Sequence, residues 1–581
     1  MSKKRKVEFL FFAILFVFSW WLMWKTFRIN QLGNLEIATK VWSDFAATIP
    51  LIRSFSFGHN FPPQYPLFAG PPIRYHFIFF SAVGLLEKMG VKLDWALNSL
   101  SILSFFALLL AIYFLSKELF KKRSVSVLSC IFFLFNGSLS FLEFFRKNPI
   151  SSHTLSDIVQ NTSFPSFAPY DGSNLVSAFW SLNIYTNQRH LAFAYAFFLM
   201  FILIVYKALK KKGGLSLNKS LILGILAGFF PFLHLSVFVM IEISLFILFV
   251  ISPNIRKGLF ISALISLIIA LPQIIYMGVS VTNTDFFRPF YLVSNPTFLS
   301  LIKYWFYNLG FAIILSPIGF LLAKRRQRKI FLPFLSFFLI GNLFRLSPEM
   351  AANHKFFNLF LIGANMFAAY SIYRLWKYKT VGKIIAIFYV FVMTFSGIID
   401  IFPIKNDVYS EIKDGKNNEV EQFIVDNTPK DSVFVNASYI YDPASLAGRR
   451  VLLGWPYFSW SAGYDTDERF NLLKNILESS DLEYSCSLLK NAGVNYIEIQ
   501  NPTPIEGIEI NYNFFKEHFN KIFSSSENNI YIYDAKTSCV KFDDILPALK
   551  SGVSLQKRMT YQRSIHPRLN RSVLECCYKS I

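Results

Sequence analysis

The stretch HFIFFSAVGLLEKMG, residues 76–90, decides the topology of this chain. It is apolar enough to suggest a membrane span, yet it is short and carries Glu87 and Lys88 near its end. Were it a span, the cluster KELFKKR (117–123) would fall outside. Lys and Arg concentrate in the short cytoplasmic loops of membrane proteins. The segment is therefore expected to be an amphipathic helix lying on the outer membrane surface.

Outward from that segment the chain reads as a multi-pass membrane protein. Its 581 residues are 53% hydrophobic and include 67 Phe, and the mean hydropathy is +0.40. Several apolar stretches are about 20 residues long, enough to cross a hydrocarbon core of ~30 Å. The formal charge of +22 does not point to nucleic acid, because much of the excess sits in clusters between apolar runs. These are Lys3 to Lys6, Lys117 to Arg123, Lys207 to Lys212, Arg256 with Lys257, Lys324 to Lys329 and Arg374 to Lys379. Placing all six in the cytoplasm gives eleven transmembrane helices, near 8–27, 94–116, 124–145, 190–208, 219–232, 234–252, 258–277, 301–323, 330–346, 355–375 and 381–400. The N-terminus then lies inside a plasma membrane and the C-terminus outside. The first segment has a signal-like shape but no small-residue cleavage site, so it is expected to be a retained helix. The run 219–252 is too long for one crossing, and Pro231 and His234 break it near the middle.

This orientation was set by Lys and Arg clusters alone, yet it gathers other chemistry on the outer face. The first outer loop holds Asp44, Arg53, His59, Arg74 and His76. The second holds His153, Asp157, Asp171 and Arg189, with His190 next. His234 marks the third turn, and the loop 278–300 holds Asp285 and Arg288. A later loop, SPEMAANHK (347–355), holds Glu349, Asn353, His354 and Lys355. Such convergence is the pattern of an active site open to the outside. Plainer readings exist for each residue. Asp44 fits a helix start, Arg74 and His76 fit headgroup anchors, and Arg189 and His190 begin a span where snorkelling is common. His59, Asp157 and Asp171 fit solvated loop positions. His234 lies inside an apolar run, where an ionisable group is a functional candidate or a satisfied helix-turn residue.

From about residue 404 the hydropathy falls. DSVFVNA, RRVLLG, NYIEIQ and NIYIYDA read as strands, alternating with helical patterns at NNEVEQFIVDNTP, DERFNLLKNILES and LEYSCSLLKNAG. This predicts a small extracytoplasmic α/β domain over 404–540, followed by a basic, disordered tail over 541–581. Cys486 and Cys539 could pair there if the region is extracytoplasmic. No Cys-x-x-Cys or Cys/His metal spacing is present.

Four features together resemble the GT-C class of polytopic membrane glycosyltransferases. They are Asp44 in a long outer loop after the first helix, the surface helix 76–90, the basic late loop Asn353–His354–Lys355, and a soluble outer domain after the last span. The phrases PPIRYHF, TNQRH, NHKFF and AGRRVLLGWP are similar to those of uncharacterised prokaryotic membrane proteins of this group. The resemblance implies a GT-C-like transmembrane domain over 1–403 and an inverting transferase that uses a polyprenyl-phosphate sugar. It implies Asp44 as general base, with the leaving phosphate and its sugar met by Arg74, His76, Arg189, His190, Asn353, His354 and Lys355. His59, His234 and Asp171 are acceptor-side or structural candidates. Some members of the class hold a divalent metal through an Asp-x-Asp or Glu-x-Asp dyad. No such dyad stands in these loops, so the sequence leaves a metal cofactor undecided. The expected partners are the lipid-linked donor, membrane lipids, and an acceptor that is a lipid, a glycan or a protein. Two other functions fit the same sequence. A transporter or flippase for a lipid-linked glycan would place charges such as His234 and Glu242 along a path through the bilayer. A non-catalytic cell-envelope assembly protein would use the outer domain to bind glycan.

Overall fold

A computed structural model describes residues 3–165, 174–211, 213–278, 286–347, 349 and 353–540. Asp171, Asp285 and the tail 541–581 lie outside the described residues.

Every expected span falls on helix, but the helices are unequal. Among the described residues, seven are long and apolar enough to cross a membrane: Arg5–Trp24, Leu93–Phe120, Arg189–Leu209, Phe230–Ile251, Pro253–Met277, His354–Trp376 and Thr380–Lys405. An eighth span exists if Phe298–Leu309 and Ala312–Leu322, bent by 88°, count as one. Arg123–Leu134 and Leu217–Gly228 have only 12 residues each, about 18 Å of helix at 1.5 Å per residue. Arg325–Leu343 spends its first turn on Arg325, Arg326 and Arg328. By length and composition the eleven expected spans therefore become seven or eight in a mostly helical, multi-pass protein. Near His234 the helix breaks as expected: that residue has non-helical dihedrals (φ −172°, ψ 94°) inside Phe230–Ile251.

The outer first loop is more ordered than the sequence suggests. After the first helix, α1 (Lys3–Trp24), come strands β1 (Phe27–Ile29) and β2 (Leu35–Ala38), and then α2 (Trp42–Ser56). A two-stranded ribbon follows, β3 (Gln64–Tyr65) with β4 (Phe68–Pro72). Helix α3 (Ile78–Lys88) has 11 residues, about 16 Å, half of what a crossing needs. It packs between α2 and α4 (Leu93–Phe120). The approach to α2 is close enough that a Cβ on Gly84 would lie 2.5 Å from the carbonyl oxygen of Ile52.

The C-terminal region continues this loop's structure. β5 (Tyr409–Ile412), just after the last membrane helix, pairs antiparallel with β2 to make the sheet β1-β2-β5. A second, five-stranded sheet has the order β7-β6-β8-β10-β9. Its strands are β6 (Val433–Val435), β7 (Arg450–Val451), β8 (Tyr496–Gln500), β9 (Asn520–Ser525) and β10 (Ile530–Asp534). β6 runs parallel to β7 and β8, whereas β10 is antiparallel to β8 and β9. The helices Glu419–Asn427, Thr466–Leu477 and Leu482–Asn491 fall where the 3.6-residue pattern predicts them. Cys486 and Cys539 form a disulfide. One apolar core runs through both parts, joining Phe45, Ile49 and Ile52 of α2 to Val420, Phe434, Leu446 and Leu452.

Arg53 is the polar tie at this seam. Its guanidinium meets Asp414 through two bonds of 2.5 and 2.7 Å, Glu421 at 2.8 Å and Glu87 at 3.4 Å. Burial alone would lower the Arg53 pKa, but the three carboxylates outweigh it and hold it well above the ordinary value.

Candidate functional site

Asp44 sits in the first turn of α2, beneath the C-terminal region. The plain reading of an acid at a helix start is a cap, but the N-cap is Val41 and no side chain caps the helix. The Asp44 carboxylate makes no hydrogen bond among the described residues. It is half-buried, and burial pushes its pKa up to about 6, while the charge of Lys355 pulls the other way.

Lys355 comes from the start of the helix His354–Trp376, far along the chain. It is half-buried too. Its backbone carbonyl accepts a 2.7 Å bond from the Tyr195 hydroxyl, while its ammonium group makes no hydrogen bond among the described residues. Asp44 and Glu349 both act on it electrostatically. A carboxylate and an ammonium, neither hydrogen-bonded among the described residues, thus act on one another through charge, which is the minimal equipment for moving a proton and holding an anion.

Tyrosines surround the acid. The charge of Asp44 reaches Tyr65, Tyr75 and Tyr441, whose pKa values are raised first by burial and further by that charge. Tyr441 comes from the C-terminal region. Its hydroxyl donates to the Trp42 carbonyl at 2.5 Å, and its ring packs 5.3 Å from that of Trp42. Sequence reading missed this residue; only its place in an aromatic, Asp-containing turn, YIYD (439–442), could have drawn attention to it.

Beside Tyr75 lies a cluster of three histidines. The ring of His76 is 3.8 Å from that of Tyr75 and 4.1 Å from that of His190. It stacks on His234 with centroids 4.6 Å apart and planes at 10°. The Nε2 atoms of His76 and His190 are 2.5 Å apart. Each histidine reaches the cluster by a separate route. His76 precedes α3, and the Phe77 amide that follows it is tied to the Phe232 carbonyl at 2.9 Å. His190 opens the helix Arg189–Leu209, and His234 sits at the break in Phe230–Ile251. Burial, then His190, His234 and Lys355, pushes the His76 pKa well below the ordinary histidine value.

The other predicted residues are engaged differently. All five guanidinium donors of Arg189 are used within the protein, on Thr186, Asn98, Thr26 and Met23. It is fully buried, so it joins α1, α4 and the short helix Asn183–Asn187 rather than offering a hydrogen bond to a phosphate. Arg74 donates to the Gly463 carbonyl and lies 4.9 Å over the Tyr464 ring. Asn353 donates to the carbonyls of Gly341 and Phe344 at 3.2 and 2.6 Å, closing off the end of the preceding helix. His354 bonds Asn358 at 2.7 Å and lies 3.3 Å from Gln188. His59 is exposed, and its amide bonds the Lys430 carbonyl. The loop residue Glu349 accepts from the Tyr457 hydroxyl at 3.0 Å, which brings the C-terminal region over the Lys355 end of the cleft.

No protein-family model matches the chain, and no curated protein matches it. Among solved structures it is similar to the archaeal oligosaccharyltransferase AglB from Archaeoglobus fulgidus, seen in complex with an inhibitory peptide and a dolichol-phosphate. That likeness has 12% identity and a TM-score of 0.49, and it covers 91% of this chain and 74% of the other. The chain is also similar to ArnT from Cupriavidus metallidurans in the apo state, at 10% identity and a TM-score of 0.47, over 93% of this chain and 99% of that one. At this depth of likeness, the function has to be carried by the site itself.

Proposed function

We propose that this protein is a membrane glycosyltransferase of the GT-C kind. It moves a sugar from a polyprenyl-phosphate donor to an acceptor at the extracytoplasmic face. The observation that carries the reading is the Asp44–Lys355 pair: an acid and a base coupled by charge, with neither side-chain charge used by the fold. In this reading the Asp44 carboxylate takes the proton from an acceptor hydroxyl or amide. The freed electron pair attacks the anomeric carbon, the bond from that carbon to the phosphate oxygen breaks, and the phosphate leaves with the bonding electrons. Lys355 stabilises that developing charge. One displacement inverts the anomeric centre. Arg189 fixes Phe45, the neighbour of Asp44, with its guanidinium 5.5 Å over the ring, and His354 and Arg74 are held by Asn358 and Gly463. The transporter alternative is less well supported, because Glu242 is bonded to Ser266 at 2.5 Å and His234 packs into the histidine cluster.

The test is transfer of a labelled sugar from a short polyprenyl-phosphate sugar in proteoliposomes. Asp44→Asn should lower the rate about 10²–10⁴-fold, the usual worth of a general base. Lys355→Gln should lower it about 10²–10³-fold, as loss of a charge-stabilising donor does. Transfer by Asp44→Asn at the unmodified rate would remove the carboxylate from the mechanism.

A further inference from the structure

We propose that His76, His190 and His234 form a binding site for a divalent transition metal of the zinc class. Their candidate ligand atoms all lie within 4.8 Å of one another, and all three side chains are buried. A tetrahedral zinc with Zn–N bonds of about 2.05 Å needs ligand nitrogens about 3.3 Å apart. The range from the 2.5 Å His76–His190 separation to the 4.8 Å limit brackets that edge, so small rotations of the rings complete the site.

A second observation points the same way. His234 is fully buried, and among the described residues neither of its ring nitrogens has a hydrogen-bond partner. The Nδ1 of His190 is likewise buried without a partner. A histidine kept for packing alone would normally bond at least one nitrogen, because buried polar atoms are paired in native proteins. Here the helix Phe230–Ile251 breaks its own dihedrals at His234 and lays that ring against His76. The backbone is shaped to bring the third imidazole in.

The chemistry of the set selects the ion. Three imidazoles suit zinc and its neighbours in the first transition row. They offer no oxygen, so they do not suit calcium or magnesium, which take carboxylates and carbonyls. Three protein ligands also leave a fourth position for water or for an oxygen of a bound molecule. Lys355 acts on His76 and opposes a second cation. Asp44, whose charge reaches Tyr75 beside the His76 ring, supplies opposing negative charge nearby. The metal site does not rest on the sugar-transfer reading, and its test reads metal rather than activity.

The test uses the full chain without a polyhistidine tag, purified in detergent, stripped with chelator and checked as a single gel-filtration peak. It is then equilibrated with zinc or magnesium, and bound metal is measured by mass spectrometry. About one zinc per chain should be retained and no magnesium, as a three-nitrogen site requires. His76→Asn, His190→Asn and His234→Asn should each retain less than about a tenth of that, and His59→Asn should match the unmodified protein. Cobalt loading should give the visible absorption of a four-coordinate site in the unmodified chain and lose it in the variants. If the stripped, monodisperse protein takes up no zinc, the proposal is overturned whether or not the variants fold. Zinc retained in full by a folded His234→Asn would overturn it equally.

Discussion

Arg53→Met should loosen the outer half of the molecule while leaving the membrane helices in place. Met can follow the aliphatic stem of Arg53, but it removes the one cation that, among the described residues, pairs with Glu87, Asp414 and Glu421. The side chains of those acids are 7%, 8% and 1% exposed. Removing one partner of a buried ion pair typically costs about 3–5 kcal/mol, because the other charge stays buried and uncompensated. For a unit of 150–250 residues, each kcal/mol moves the melting temperature about 2–4 °C. The outer half should therefore melt about 6–20 °C lower, read as tryptic release of C-terminal fragments along a thermal ramp. The pH dependence gives the argument its sign. Glu421 is already pushed up to about 8 by burial despite Arg53, and without the guanidinium it is pushed further up, so the folded variant keeps that proton to a higher pH than the folded unmodified protein does. The deficit of the variant should therefore widen as pH rises above about 8. Arg53 in the unmodified protein is held well above its ordinary value and does not titrate over that range. A variant that melts within about 1 °C of the unmodified protein would refute the reasoning, and so would a deficit that ignores pH.

Asp44, raised to about 6 by burial against the pull of Lys355, must be ionised to act as a base. The rate of sugar transfer should therefore rise with pH up to about 6 and then level off, and Lys355→Met should move that acid limb upward; a limb that stays in place means the two charges are not coupled. The Cys486–Cys539 bridge spans 53 residues, a loop whose chain entropy is worth up to about 4 kcal/mol. Cys486→Ser should lower the stability of the outer half by no more than that, and non-reducing peptide mapping should recover one bridged pair. Free thiols there would instead place the region in a reducing compartment. Gly448 has φ +74°, and a Cβ on it would lie 2.4 Å from the Arg53 carbonyl oxygen and 2.7 Å from the Gly58 amide. Gly448→Ala should cost about 2–4 kcal/mol, seen as a lower melting temperature and faster proteolysis at the seam.

The membrane half was legible because hydrophobic runs and basic clusters are local signals. Length and charge placed helices at all the expected positions, the short α3 among them. They did not reveal which helices fall short, since apolar composition alone cannot show that Leu217–Gly228 ends at a bend. In the C-terminal region, alternation located β6, β7, β8 and β10. It missed β9 (NKIFSS), whose exposed positions carry no apolar alternation. The first loop was half legible. Asp44, Arg74 and His76 stood out as residue types, but β1 and β2 find their third strand in β5, from the other end of the chain. Nothing local announces that pairing. Arg189 misled for a physical reason: an Arg at the start of a helix reads as a surface cation, whereas here five protein acceptors, supplied mostly by α1 and α4, absorb it. The histidine cluster was invisible as a cluster because metal-like spacing in a sequence requires neighbours on one element, and these three come from three.

The placement of the site follows from how the two halves meet. Asp44 and His76 belong to the first loop, which shares its core with the C-terminal region. Lys355, His190 and His234 belong to helices that run into the membrane half. The acid–base pair and the histidine cluster therefore both straddle one seam, and neither half holds a complete set. Contacts made by the C-terminal region sit near these groups. Tyr441 bonds the residue two before Asp44, Arg74 bonds the C-terminal Gly463 two residues before His76, and Tyr457 bonds Glu349 in the loop ahead of Lys355. A shift of the outer half would move Asp44 relative to Lys355 and His76 relative to its two partners at once. Arg53, buried where the first loop meets the C-terminal region, then matters to the proposed chemistry without touching it, because the carboxylates it holds keep those two parts of the outer half together.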